Sequence, residues 1–372
     1  MSVSIIIPTR NRHRQLYETI IAHKALPKNF RQSVQLVLAD NSPDPIQEIY
    51  LQEMKEIFPH LIYENDRGIV SMEQNYLRGL KLSTNEWLCI IGDDDFFLPE
   101  IAEAIRSYDD QPVDCVIYNP PKYYWPNCVF ANTEISGAPG AYVPVKPFRD
   151  EFVNVQLEIN RCIRNGGLTI GRLPRLYHGL VRRGAILNYC LNEDHEFNLG
   201  SPDISLAFYL ALGNVTVVSH SKPLTVYGAS AGSGGGMSTS KTHILPLDEA
   251  HHLSQHFREN WDDRIPRYWS EFTVFPASIL YVSKLKKISI ESNFSFSAIY
   301  SAIIIYELSQ LHYVKKALFE HPINKIINIT FGMPFFVLKK LLGSIYRKNR
   351  AILSKNFQIF QTASDFFEEL VK

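Results

Sequence analysis

Apolar positions in the first third of the chain fall into two alternating kinds of run. Val3–Ile7, Gln35–Ala39 and Trp87–Ile91 are short and continuous, the pattern of strands covered on both faces. Between them, Arg14–His23, Ile46–Phe58 and Ser71–Leu82 repeat apolar residues at helical spacing. In the second, the stripe is Ile46, Ile49, Tyr50, Met54 and Ile57; in the third it is Met72, Tyr76, Leu77 and Leu80. Leu61–Tyr63 reads as a short strand. This order predicts an α/β fold, a mostly parallel sheet with helices on both faces.

The middle of the chain is less regular. Pro120–Pro147 is rich in Pro, Tyr, Asn and Gly and reads as an irregular insertion. Phe148–Ile163 is predicted helical and ends at Gly166-Gly167. Ser201 is placed to cap a helix that has Pro202 in its first position and runs to Leu212. Val215–Val218 is predicted as a strand. Tyr227–Ser240, YGASAGSGGGMSTS, reads as a flexible Gly/Ser segment. From Leu247 onward the signals are mainly helical. The predicted division is 1–240, with halves 1–110 and 111–240, followed by a helical region 241–372.

Composition removes several classes. The 372 residues carry 38 Lys+Arg against 38 Asp+Glu, without the basic excess of a nucleic-acid binder. Hydrophobic residues at 45% and charged residues at 20% are ordinary for a globular protein. Five Cys lie scattered without a CxxC pair, which points to reduced thiols, a cytoplasmic setting and no disulfide scaffold or zinc site. No run reaches the roughly 18 apolar residues of a membrane span. The N-terminus, MSVSIIIPTRNR, places its apolar run before its charges, the reverse of a signal peptide.

Polar clusters follow three of the strands: Thr9-Arg10-Asn11-Arg12, Asp40-Asn41-Ser42 and Asp93-Asp94-Asp95. In a parallel sheet they meet beyond the carboxyl ends of the strands, where ligands bind. Three adjacent carboxylates repel one another and call for a counter-ion. Mg²⁺ or Mn²⁺ suits such an oxygen site; a solvated acidic turn, or a cap for a helix near Pro99, is the competing reading.

The ordered segments VSIIIPTRNR, LVLADNSPD, NDRGIVSMEQNYLRGL and WLCIIGDDDFFLPE resemble the nucleotide-sugar-binding half of the family 2 glycosyltransferases, which have the GT-A fold. The resemblance is strong over about residues 3–107 and weak over 108–220. It implies an inverting, metal-dependent transfer from a nucleoside-diphosphate sugar, with uridine as the expected nucleoside. The acceptor would be a hydroxyl of a glycan or lipid-linked molecule, in cell-surface polysaccharide synthesis. Pro8 and Thr9 would border the nucleotide, Arg12 would reach a phosphate, and Asp40 would hold the base. Arg67 and Asn75 would lie near the nucleotide or donor sugar, and Asp93 or Asp94 would contact the ribose or sugar. Alignment on Pro99 puts Asp94, with Asp95 behind it, in the metal position.

Each residue has a structural alternative. Thr9 and Asn11 would cap the first helix, Asp40 would close an Asx turn, Asn75 would be an exposed helix residue, and Arg67 would pair with Glu64 or Asp66. A general base is also required. Asp203 opens a helix, as the family's base does; Asp194, beside Glu193 in LNEDHEF, is the second candidate, and dipole complementation is the alternative for Asp203. His195, His220 and His243 are candidates to complete a metal shell. Gly228–Ser240 would close over the donor as a lid or serve only as a linker.

Between Lys315 and Lys355 stand nine Lys/Arg and one acid, Glu320. Phe335–Leu353 is expected to form a basic amphipathic helix for an anionic inner membrane face, or to pack on the catalytic domain or a sister subunit in a homo-oligomer. Two competing functions are a sugar nucleotidyltransferase and a non-catalytic peripheral membrane assembly factor. The first usually has a Gly-rich phosphate loop where this chain has Pro-Thr-Arg-Asn; the intact acidic residues argue against the second.

Overall fold

The structure, a computed structural model, describes residues 3–68, 70–131, 137–190, 200–240, 243–250, 252–320 and 358–372. Glu193, Asp194, His195 and the expected basic helix at 335–353 lie outside these residues.

The predicted strands form β1 (Val3–Thr9), β2 (Val34–Asp40), β3 (Leu61–Asn65) and β4 (Trp87–Ile90). They interleave with α1 (His13–Ala22), α2 (Glu48–Ile57) and α3 (Met72–Leu82). Ser71 caps α3 in a reciprocal box with Gln74. Helix α2 begins two residues later than its apolar stripe, because Gln47, its N-cap, is extended. Beyond β4 come β5 (Phe96–Phe97), α4 (Glu100–Tyr108), β6 (Cys115–Ile117), β7 (Lys122–Tyr124), β8 (Tyr142–Val143) and β9 (Glu151–Phe152). They are followed by α5 (Val155–Arg164), β10 (Gly179–Arg182), α6 (Pro202–Ala211), β11 (Val217–Ser219) and β12 (Thr225–Ala229).

The main sheet has eight strands in the order β3-β2-β1-β4-β10-β6-β11-β9. Strands β3, β2, β1 and β4 are parallel; β10 runs antiparallel to both β4 and β6, and β9 antiparallel to β11. The sheet is therefore mixed, with a parallel half formed by β3, β2, β1 and β4. A second sheet, β5-β12-β7-β8, stands beside it.

Strand alternation divides the core. Val3, Ile5 and Ile7 with Leu36 and Leu38 fill one face; Ile6, Val37, Leu88 and Ile90 fill the other. Two-sided burial is why these strands read as unbroken apolar runs. The second of these cores continues through Phe257, Ile279 and Tyr300 to Ala317, so packing runs across residue 240 without a break.

Two expectations are corrected. Phe148–Ile163 is not one helix: β9 pairs at the sheet edge and Asn154 then caps α5 by accepting from the Leu157 N–H. Tyr227–Ser240 is not loose: β12 extends through Ala229, and α7 (Gly234–Ser240) follows it.

The C-terminal region contributes α8 (Glu271–Leu285), α9 (Phe296–Tyr306), α10 (Leu311–Glu320) and α11 (Ala363–Leu370). Helix α11 returns to the first half of the chain. Its Phe366 stacks on Tyr123 with centroids 4.0 Å apart, and Phe367 lies 5.1 Å from Phe96. Among the described residues, no helix is long and apolar enough to cross a membrane.

Candidate active site

The acidic triplet sits in the turn between β4 and β5, anchored by the buried Phe96 and Phe97 that follow it. Its three carboxylates have different surroundings. The Thr9 hydroxyl donates to Asp93 Oδ2 at 2.6 Å, and Arg12 Nη1 lies 2.7 Å from Asp93 Oδ1. Asp94 Oδ2 accepts from the Ser230 N–H at 2.9 Å and the Ser230 hydroxyl at 2.7 Å, with Arg12 Nη2 at 3.3 Å. Asp95 turns inward: Oδ1 accepts from the Gly228 N–H, while Oδ2 accepts from the Gly92 N–H and the Tyr177 hydroxyl. His178 Nε2 stands 3.0 Å from the same Asp95 oxygen.

Electrostatics follows this partition. Burial pushes Asp93 up to about 7, helped by Asp94 and Asp95 and opposed by Arg12 and Thr9. Burial also raises Asp94, against the pull of Arg12. For Asp95, burial is outweighed by His178 and the N–H groups of Gly228 and Gly92, which hold it below the usual carboxylate range. Arg12 is lowered by burial but raised overall by the three carboxylates.

A divalent cation fits this donor set by charge. One guanidinium faces both Asp93 and Asp94, so two carboxylates share one positive charge. Asp95, expected with Asp94 as a metal ligand, has protein donors on both oxygens, and so has Asp93 through Thr9 and Arg12, while Asp94 meets Ser230 and Arg12. Among the described residues, no group of three His, Cys, Asp or Glu is placed to hold an ion by itself. An ion here would therefore draw on water and substrate oxygens.

The Gly/Ser segment is ordered because its glycines let the backbone come close to the triplet. A Cβ on Gly228 would lie 1.7 Å from the Asp94 carbonyl oxygen, and one on Gly236 1.7 Å from that of Ser230. The Ser233 hydroxyl accepts from the Gly236 N–H at 3.1 Å and donates to the Ser230 carbonyl at 3.0 Å.

Asp40, fully buried at the end of β2, is a hub. Its Oδ1 accepts from the Ser42 N–H at 2.8 Å and from the Ser42 hydroxyl; its Oδ2 meets the Tyr63 hydroxyl and His13 Nε2, each at 2.9 Å. Asn75 is buried rather than exposed: its Nδ2 donates to the Ala39 carbonyl at 2.7 Å, and its Oδ1 accepts from Arg78 at 2.7 Å. Arg78 also donates to the Asp40 carbonyl at 2.6 Å, so α3 is clasped to the end of β2. Arg67 is exposed on the turn after β3, with φ 59°. Pro8 is half-buried in β1, opposite Ala39.

Asp203 lies in the first turn of α6. Ser201 makes no side-chain cap; its hydroxyl donates to Asp203 Oδ1 instead. Burial raises Asp203, against that hydrogen bond. Tyr227 is raised by burial and by the carboxylates of Asp95, Asp94, Glu271 and Asp203; Tyr76 is raised by burial and by Asp203, Asp95 and Asp93. Both phenols thus feel the charge of the triplet and of Asp203. His220 lies away from the triplet, beside Asp150 and Tyr108. His243 meets the Met237 carbonyl and Trp269.

Sequence reasoning passed over Ser230, Tyr177, His178, His13 and Arg78. Ser230 carried a signal, since it follows a strand and stands within the glycine-rich stretch. The others are polar residues at ordinary positions that only the fold brings to the carboxylates.

Residues 4–161 match the family model described as Glycosyl transferase family 2. No curated protein matches the chain. Among solved structures, S. aureus TarS is similar at 18% identity and a TM-score of 0.42, covering 62% of this chain and 37% of that one. The chain thus matches little more than a third of that protein's length. S. aureus TarS 1–349, solved with UDP-GlcNAc, is similar at 15% identity and TM-score 0.47, covering 91% and 92%. A mannosyltransferase from Pyrobaculum calidifontis, solved with GDP-Man and Mn²⁺, is similar at 14% identity and TM-score 0.41, covering 94% and 86%.

Proposed function

From the match of residues 4–161 to the model of glycosyl transferase family 2, we propose that the chain transfers a sugar, with inversion, from a nucleoside-diphosphate sugar to an acceptor hydroxyl. One observation supports this reading: Arg12, beyond the end of β1, reaches both Asp93 and Asp94 in the turn after β4.

The donor diphosphate lies by Arg12, whose charge the triplet secures. Pro8 and Thr9 border the nucleotide, which is proposed to be uridine. Asp40 acts on the base by holding Ser42, Tyr63 and His13 around it. Asn75 acts through its clasp on β2, and Arg67 reaches the donor from its turn. Asp93 and Asp94 would hold Mn²⁺ or Mg²⁺, which supplies charge neutralisation for the leaving diphosphate. Asp95 sets the turn for them. Asp203 takes the acceptor proton, and its raised pKa brings it toward the range of an effective base. The acceptor is a glycan or lipid-linked glycan of a cell-surface polysaccharide, and the basic stripe at 335–353 is proposed to rest on an anionic membrane face.

The test is nucleoside diphosphate release by the purified chain across a panel of UDP- and GDP-sugars, with Mn²⁺, with Mg²⁺ and with chelator. Release from one donor, lost with chelator, is expected. Calorimetry showing no nucleoside diphosphate binding under any condition would overturn the reading.

A further inference from the structure

Away from the triplet, a cleft of about 420 Å³ opens between α5, the C-terminal end of α6 and the segment 288–293. Its polar lining is Gln156, Asn160, Arg164, Asn214, Ser289 and Asn293. Four of these six are carboxamides, one is a hydroxyl, one is a guanidinium, and no carboxylate is present. All six are exposed, and among the described residues none has a side-chain hydrogen bond or ion pair within the chain. The floor is aliphatic, formed by Ile159, Ile163 and Ile290, which are buried.

This chemistry selects a ligand class. A carboxamide offers two donors and an acceptor side by side, and a sugar hydroxyl is itself both donor and acceptor. Four carboxamides around an aliphatic floor therefore match a hydroxyl-rich ring with apolar C–H faces. A metal ion is disfavoured without a carboxylate. Arg164 adds a place for one anionic group. A cleft of this size is within the range of small-ligand sites.

We propose that this cleft is a saccharide-binding site, distinct from the transfer site, for a glycan segment carrying a carboxylate or phosphate. Helix α6 joins the two places: Asp203 is in its first turn and Leu212, in the cleft lining, follows its last. At 1.5 Å per residue they are about 13 Å apart along the axis. Resting on the transfer reading, the cleft would hold a distal part of the acceptor. The binding statement itself does not need that reading.

Calorimetry of the full chain with tetragalacturonate and with maltotetraose tests it. Both are expected to bind, the acidic one more tightly. Arg164→Ala should remove the preference, leaving the two equal. Asn160→Leu with Asn293→Leu should weaken both by about tenfold or more. Basal nucleoside diphosphate release without acceptor, measured on the same variants, should stay at the wild-type level. Failure of the transfer reading shows as no release in any variant, whatever the saccharides do. No heat from either saccharide at about 10 mM overturns the proposal, as does binding unchanged by both sets of substitutions. Self-association in sedimentation that the double substitution abolishes, with no saccharide binding, would assign the cleft to a protein contact and also overturn it.

Discussion

At the scale of single residues, four buried or half-buried carboxylates have four different sets of partners. Asp95 accepts from Gly228, Gly92 and Tyr177, Asp93 and Asp94 face Arg12, and Asp203 accepts from the Ser201 hydroxyl. Asp203→Asn should lower turnover by about a hundredfold or more with donor affinity unchanged, as for a lost general base. A role limited to the helix dipole would instead cost below about 1 kcal/mol of stability and leave turnover near wild type. Steady-state kinetics at saturating donor distinguishes the two. Asp94→Ala should reduce turnover on the order of a hundredfold or more and weaken metal-dependent nucleotide binding. Calorimetry with and without Mn²⁺ reads the second effect, and near-normal values would place the ion elsewhere.

At the scale of elements, the triplet is held between β4, β5 and β12. Gly228→Ala would drive a methyl group into the Asp94 carbonyl, 1.7 Å from the ideal Cβ position. A destabilisation of about 1–3 kcal/mol or more is expected, together with loss of turnover. Gly234, with nothing within 4 Å of its Cβ position, is the control: Gly234→Ala should leave the melting temperature level or slightly raised.

His23, beyond the end of α1, ties that helix to β5. Its Nδ1 contacts the Thr19 carbonyl at 2.7 Å, and its Nε2 accepts from the Phe97 N–H at 3.2 Å. The ring is thus neutral, with its proton on Nδ1. Complete burial lowers it from 6.5 to about 3. Below pH 6.5 the unfolded chain therefore takes up a proton that the folded chain refuses, and stability falls as pH falls toward 3. The loss at pH 5 should be about 2 kcal/mol. Urea unfolding of wild type and His23→Gln at pH 7.5 and 5 should show a smaller pH difference in the variant; an equal difference would assign the pH sensitivity to other groups.

At the scale of the whole molecule, α11 is part of the core that β1, β2 and β5 build. Phe366 lies against Tyr123, and Phe367 against Phe96, the residue that follows the triplet. Phe366→Ala should cost about 3–5 kcal/mol in urea unfolding and reduce turnover through looser packing behind β5. A cost below about 1 kcal/mol would mean that α11 is an appendage.

The local elements were legible from the chain because they rest on local physics. Two-sided burial makes β1, β2 and β4 read as continuous apolar runs, and Ser71 with Gln74 marks the start of α3. The strand-end clusters and the motif order carried the family, as the match over residues 4–161 bears out. What sequence missed was non-local. Glycine and serine between 227 and 240 compose a flexible segment by propensity, yet Gly228 and Gly236 are needed for close backbone approach, and Ser230 binds Asp94 from 136 positions away. Sequence could not show that Gly228, Tyr177 and His178 would meet the oxygens of Asp95, or that Ala39 and Arg78 would take the amide of Asn75 and exclude its exposed alternative. Sequence by itself determined the elements of the first third of the chain and the carboxylates at their strand ends, since strand burial and helix capping are encoded within a few residues. Only the tertiary structure decided which partners each carboxylate takes, because those partners come from distant segments that meet only on folding.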